Sequence, residues 1–174
     1  MEELKRILTS TNIEEEIRNN EEYIFSIIPE LRSEVGFDQK HPHHNLDVFI
    51  HTLKALENSK NDYIIRLALL FHDIGKPLSC VEEDGVRHFP NHSVISEMIT
   101  RKVLTRLNYE ESVINEVCYL VKYHDTPITM EDVEKNYDLQ LKRYEVQRSD
   151  VLAHNPLMNS KRISYLIKTK KLFK

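Results

Sequence analysis

From Leu4 to Leu31 the apolar residues Leu4, Ile7, Leu8, Ile13, Ile17, Ile24, Ile27, Ile28 and Leu31 recur mostly at steps of three and four among charges. That spacing gathers them on one face and predicts surface helices, broken near Asn19 and Pro29. Gly36 ends the region, and Phe37 to Asn45 reads as a loop holding Pro42 and three histidines. Asn45 is a plausible N-cap for a helix from Leu46 to Leu56, whose Leu46, Phe49, Ile50 and Leu53 keep helical spacing. Tyr63 to Ile74 is nearly all apolar, with Arg66 the sole charge before His72, and so predicts a helix buried on most sides, ending at Gly75 and Pro77. Between Leu78 and Phe89 the Asp84–Gly85 pair is the one strand-like signal, a minor hairpin. Further helices are expected from an Asn91 cap through Leu107, from Glu111 to Tyr123, from a Thr129 cap at Met130, from Leu139 to Ala153, and from Ile163 to Lys170.

Composition sharpens this picture. The chain has 174 residues, 40% hydrophobic and 30% charged, with three glycines and six prolines. This favours one all-α domain with long regular elements and no internal repeat or linker. No run approaches the roughly eighteen uncharged apolar residues a membrane span needs, and MEELKRIL is too charged for a signal peptide, so a cytoplasmic protein is expected. Cys80 and Cys118 form no CxxC pair, and reduced packing thiols are expected. A net charge of −4 argues against extensive nucleic-acid binding and for a small-molecule ligand. The unusual count is nine histidines beside no tryptophan.

Their placement points to a metal. In Ala68-Leu69-Leu70-Phe71-His72-Asp73-Ile74-Gly75-Lys76 an imidazole and a carboxylate end an apolar helix. A buried charge costs several kcal/mol, of order ~3 or more, unless it is paired or coordinated, and one divalent cation would satisfy both groups. The plainer alternative is that His72 bonds a carbonyl and Asp73 caps the next turn. His51 lies on the preceding helix, where it could converge with His72, and Asp47, one turn earlier, could fix the His51 tautomer. Asp150, in Arg148-Ser149-Asp150, precedes the apolar Val151-Leu152-Ala153, with His154 one turn later.

The order His51, His72-Asp73, Asp150 resembles the metal-dependent phosphohydrolase superfamily called the HD domain after its central dipeptide. The likeness extends to His43-His44-Asn45-Leu46-Asp47-Val48-Phe49-Ile50-His51-Thr52, to Leu69 through Pro77, to His88-Phe89-Pro90-Asn91-His92-Ser93, and to Ala153-His154-Asn155-Pro156. These stretches are similar to the HD domain attached to bacterial CCA-adding tRNA nucleotidyltransferases, over about residues 37 to 157. Residues 1 to 36 then form an N-terminal helical extension, and 158 to 174 a C-terminal helix. The chain leaves no room for a nucleotidyltransferase head and has no Gly-Ser motif with paired aspartates, so nucleotide addition is not expected. The resemblance implies an HD-domain helical bundle, one or two divalent ions (Mn, Fe, Co, Ni, Zn or Mg), and hydrolysis of a small phosphate ester by metal-activated water, often a nucleotide or cyclic phosphate. It implies His51, His72, Asp73 and Asp150 as metal ligands, with His92 and His124 on a second ion bridged by Asp73.

Asp73 and Lys76 are the expected catalytic pair. His88 and His154 are expected beside the substrate, together with the phosphate candidates Lys76, Lys122, Arg143 and Arg148. His41, His43 and His44 read as polar loop residues near the mouth. Lys76 has a plainer reading too, as a cation offsetting a helix C-terminus. Two functional rivals remain: a mixed-valent di-iron oxygenase, which uses the same ligand order, and a non-catalytic nucleotide-sensing module.

Overall fold

The structure is a computed structural model and describes residues 2–174. Eleven α-helices and one hairpin are present among the described residues. Three short helices, α1 (Glu2–Leu8), α2 (Ile13–Asn19) and α3 (Glu21–Ile27), lead through a 3-10 segment, Pro29–Glu34, to the loop of residues 37 to 45. Their apolar stripes are buried: Leu4, Ile7, Leu8, Ile17, Ile24, Ile28 and Leu31 are each at most 1% exposed. The helical face read from the spacing is therefore the face that packs.

Helix α4 (Val48–Glu57) starts two residues later than expected. Asp47, not Asn45, is its N-cap, accepting from the Ile50 backbone N–H at 2.9 Å. This corrects the role given to Asp47, whose carboxylate is committed to the helix end rather than to His51. Helix α5 (Tyr63–Phe71) is capped by Asp62 and is buried at every position from Ile65 to Phe71. It contacts α1, α4, α7, α8 and α10, so it is the central element. Arg66 keeps its charge there by donating to the Leu8 and Ser10 carbonyls at 2.8 and 2.7 Å.

The α5 helix stops at Phe71 rather than Ile74, because His72 to Gly75 turn tightly through bonds from Ile74 N–H to Phe71 O and from Lys76 N–H to Asp73 O. A short α6 (Lys76–Ser79) and the hairpin β1 (Val81–Glu83) and β2 (Val86–His88) follow. Val81 pairs His88 and Glu83 pairs Val86, leaving a two-residue Asp84–Gly85 turn with φ of 51° and 77°. Both residues are left-handed, as the twist of a tight hairpin demands.

Helix α7 (His92–Arg106) follows Asn91, which holds φ at 57° and gives no side-chain cap bond. Its end turns back at Asn108 (φ 56°), where Tyr109 N–H reaches Leu104 O at 3.0 Å, and α8 (Glu111–Lys122) packs against α7. Thr129 caps α9 (Met130–Lys135) in a reciprocal box with Asp132. Helix α10 (Tyr137–Ala153) contacts α4 and α5, and α11 (Ser160–Lys170) rests on α10. A main core runs through α1 to α8 and the inner side of α10. A smaller cluster of Ile128, Val133, Tyr144, Val151 and Leu166 seats α9 and α11. Cys118 is buried, Cys80 is half-buried, and neither is bridged. No described helix is long and apolar enough to cross a membrane.

Candidate metal centre

Five segments bring side chains to one cleft. His51 comes from the first turn of α4, His72 and Asp73 from the turn after α5, His92 from the start of α7, His124 from just beyond α8, and Asp150 from the last turn of α10. All but His92 are buried, and His92 is half-buried. These are the six ligands expected from the sequence, now in one place.

The imidazoles are oriented alike. Nδ1 of His51 faces Ala153 O at 3.3 Å, that of His72 faces Leu69 O at 2.7 Å, that of His92 faces Phe89 O at 3.0 Å, and that of His124 faces Val121 O at 2.7 Å. A carbonyl only accepts, so each Nδ1 carries a proton and Nε2 is the atom turned into the cleft. The His51 and His72 Nε2 atoms lie 3.4 Å apart, and those of His92 and His124 3.3 Å apart. Two Nε2 lone pairs facing each other at these distances repel unless a proton or a metal cation lies between them.

The carboxylates complete both pairs. Asp73 Oδ2 is 3.5 Å from His51 Nε2 and 3.3 Å from His72 Nε2. Its other oxygen, Oδ1, is 3.5 Å from His92 Nε2 and 3.7 Å from His124 Nε2. Asp150 Oδ1 lies 2.9 Å from His51 Nε2 and 3.7 Å from His72 Nε2. Donors held about 2.1 Å from one ion are separated by about 3.0 to 3.4 Å in octahedral or tetrahedral arrangement. The donor set fits divalent ions on both chemistry and spacing.

Electrostatics agree. Burial alone would raise the carboxyls of Asp73 and Asp150, but facing His72 and Lys76 in one case, and His154 and His51 in the other, holds both well below the usual range. Burial would likewise lower His72, yet Asp73 and Asp150 draw it well above an ordinary imidazole. Two buried anions thus demand positive charge. Lys76 supplies part of it, donating from Nζ to Asp73 Oδ2 at 2.6 Å and to Gln39 Oε1 at 2.9 Å. It lines the cleft, but its nearest partner is Asp73, not open solvent.

The cleft has a volume of about 190 Å³. His88 and His154, expected near the substrate, line it, and so do His41 and His44 from the mouth loop. Burial lowers His154 to about 4 and depresses His44 further, so both rings are neutral near pH 7. Nδ1 of His44 is buried without a hydrogen-bond partner.

Three expected phosphate contacts are not brought into the cleft. Lys122 lies over the Tyr123 ring in a separate groove beside Glu97 and Arg101. Arg143 is buried, its donors spent on the carbonyls of Tyr123, Thr126 and Pro127 at 2.9, 2.7 and 3.2 Å. It anchors the segment that carries His124. Arg148 is held by Glu145 and Asn58 O.

Sequence reasoning missed Asp125, Arg87 and Arg162 on the cleft wall, and the buried Glu34 beneath it. Asp125 had a signal, since His124-Asp125 is a second His-Asp dipeptide. Its Oδ2 is 4.0 Å from His92 Nε2. Glu34 had none, because charge in a short segment reads as solvated surface. Its carboxyl is pushed up to about 8, chiefly by burial and then by Asp73.

Comparison with known proteins places this geometry. Residues 43–157 match the family model described as HD domain. The chain is similar to the A-adding tRNA nucleotidyltransferase of Deinococcus radiodurans, 32% identical over 132 residues. It is also similar to the CC-adding tRNA nucleotidyltransferase of Thermus thermophilus, at 33% over 132 residues. Each alignment covers 72% of this chain and 29% of the relative, so the chain spans under a third of their length. Within that span, a helical bundle gathering His51, His72-Asp73 and Asp150 falls inside the matched region, and the chain belongs to the HD domain family.

Proposed function

We propose that this chain is a metal-dependent phosphohydrolase acting on a small phosphate ester, a nucleotide or cyclic nucleotide, at a centre built for two divalent ions. The observation that carries the reading is the division of Asp73: one oxygen faces the His51–His72 pair, the other the His92–His124 pair. A carboxylate shared between two such pairs would serve both ions of a two-metal centre. When bound, divalent ions would supply activation of water near neutral pH and neutralisation of phosphoryl charge. Mn, Fe, Co, Ni, Zn and Mg are all compatible with imidazole and carboxylate donors, Mg with more water in its shell.

In this reading His51, His72, Asp150 and Asp73 would hold one ion, and His92, His124 and Asp73 the other. Lys76 holds the Asp73 carboxylate through the bond to Oδ2 at 2.6 Å, and acts as a positioning residue. His88 and His154 line the cleft beside the place a phosphoryl group would take. Nucleotide addition, named for the relatives, lies outside this reading, since the match covers 29% of them.

The test is metal analysis of purified protein combined with a screen of nucleoside phosphates and cyclic nucleotides. His72→Ala and Asp73→Ala should each lower turnover at least about 100-fold and release metal, with helicity unchanged. Variants that hydrolyse as well as the parent would place the site elsewhere. An iron signal with turnover that requires oxygen would turn the assignment to the di-iron oxygenase. Ligand binding with no turnover in any metal would leave a nucleotide-sensing module.

A further inference from the structure

A second cavity of about 330 Å³ adjoins the metal cleft on the side of α11. His124, Asp125 and Asp150 line both spaces, so the two adjoin at the candidate metal centre. Arg162 lines both as well, standing at their junction. It lies in the first turn of α11, beyond the residues 43–157 that match the family. No acidic side chain among the described residues pairs with it.

The outer cavity differs in character from the metal cleft. Its lining includes Pro127, Val151 and Tyr165, which the metal cleft lacks, beside the exposed Lys161 and Arg162. Two of its polar side chains, Tyr165 and Gln147, are already paired. The Tyr165 hydroxyl accepts from Ile128 N–H at 3.0 Å and donates to Gln147 Oε1 at 3.1 Å. The Gln147 amide donates to Thr126 O at 2.6 Å. That wall offers contact area without free donors or acceptors to read the edge of a base, and the free charges of Asp125, Lys161 and Arg162 are left for the phosphoryl side. The volume lies in the range of small-molecule sites, whereas the metal cleft is smaller, suited to a phosphoryl group and its waters.

Helix α11 is fixed firmly enough to shape a subsite. Asn159 donates to Val151 O at 2.5 Å, and Leu166 packs with Ile128, Tyr144 and Val151.

We propose that the cavity between α10 and α11 receives the organic group of the phosphate ester, a flat ring system such as a nucleoside, selected by shape rather than by base identity. Arg162 holds a phosphoryl oxygen at the entrance to it. This rests on the phosphohydrolase reading, because the ester is oriented by a phosphoryl group on the metal centre. Lys161 and Arg162 are therefore specificity residues of the C-terminal helix, not of the family's shared segment.

The experiment measures binding by calorimetry to the Mn-loaded full chain, using phosphonates whose P–C bond resists hydrolysis. The series is methylphosphonate, phenylphosphonate, and the 5′-methylenephosphonate analogues of adenosine and uridine. Phenylphosphonate and both nucleoside analogues should bind at least about tenfold more tightly than methylphosphonate, as ring contacts of this kind do elsewhere. The adenosine and uridine analogues should agree within about threefold. Arg162→Ala should weaken every member, and Lys161→Trp, which adds bulk at an exposed edge, should shrink the ring advantage to under about threefold. Both residues are exposed, so circular dichroism should be unchanged. Methylphosphonate binding with no ring preference, or a ring preference untouched by either variant, overturns the cavity assignment and leaves the metal centre standing. A tenfold preference for one base overturns selection by shape. Failure of every phosphonate to bind overturns the phosphohydrolase reading and this inference with it.

Discussion

At the scale of single residues, Asp73 and Glu34 show how much of the centre depends on charge held out of water. Asp73 is fully buried yet ionised, because imidazoles and Lys76 surround it. Glu34 is equally buried, but its only side-chain partner is the Thr52 hydroxyl at 3.5 Å, and its other oxygen has none. Its carboxyl is therefore raised from 4.5 to about 8, first by burial. A carboxyl with a higher value in the folded chain keeps its proton there while the unfolded chain releases it. The contribution of Glu34 is thus most favourable below about 4.5 and is lost as pH rises toward 8. In chelated protein, Glu34→Gln should flatten the decline in urea midpoint between pH 5 and pH 8 (pH chosen to span about that window). An unchanged slope would show that Glu34 titrates normally. The candidate metal site was legible at this scale because an apolar helix ending in His72-Asp73 is chemically odd without a cation. Glu34 and Arg162 were not, since a lone charge in a polar stretch carries no mark of where the fold will put it. Arg143 misled for the same reason: the sequence shows its charge but not the three carbonyls that consume it.

At the scale of elements, the helices and the hairpin followed from spacing, while their ends followed from caps that spacing does not rank. Both Asn45 and Asp47 can cap α4, and only the bond from Ile50 N–H decides for Asp47. The end of α5 is set by a contact no local pattern reveals. Gly75 donates its N–H to Ser96 Oγ at 2.9 Å, which brings the turn bearing Asp73 against the start of α7 bearing His92. A Cβ on Gly75 would meet His92 O at 2.5 Å and Ser96 N at 2.7 Å, both backbone atoms that cannot rotate away. Gly75→Ala must therefore push α7 from α5. The expected cost is about 1 to 3 kcal/mol in denaturant stability, the range for overpacked cores. Because His92 moves with α7, metal content should also fall from two ions per chain toward one. A variant with the parental midpoint and metal content would show that the close approach relaxes at no functional expense.

At the scale of the whole molecule, the centre joins segments that are far apart in sequence, and that is why its nuclearity was the least legible property. The first group of donors ties α4, the end of α5 and α10, and the second ties the same turn to α7 and α8. One ion would therefore brace three elements, and two would brace five segments around the central helix. An ion that binds only the folded chain stabilises it by about 2.7 kcal/mol at a hundred times its dissociation constant. For a chain of this size each kcal/mol moves the melting temperature by about 2 to 4 °C. Adding Mn to chelated protein should thus raise Tm in two increments of about 5 to 10 °C as the stronger and then the weaker site fills. His92→Ala and His124→Ala should each abolish one increment and keep the other, since His51, His72 and Asp150 remain. His51→Ala should weaken the first site but spare donors of the second. Asp73→Ala should remove both, because each of its oxygens serves one pair. If instead the parent shows a single increment that His92→Ala and His124→Ala retain in full, the second ion does not exist. Their lone pairs would then serve the substrate directly, with Asp73 bound to one metal through Oδ2 alone.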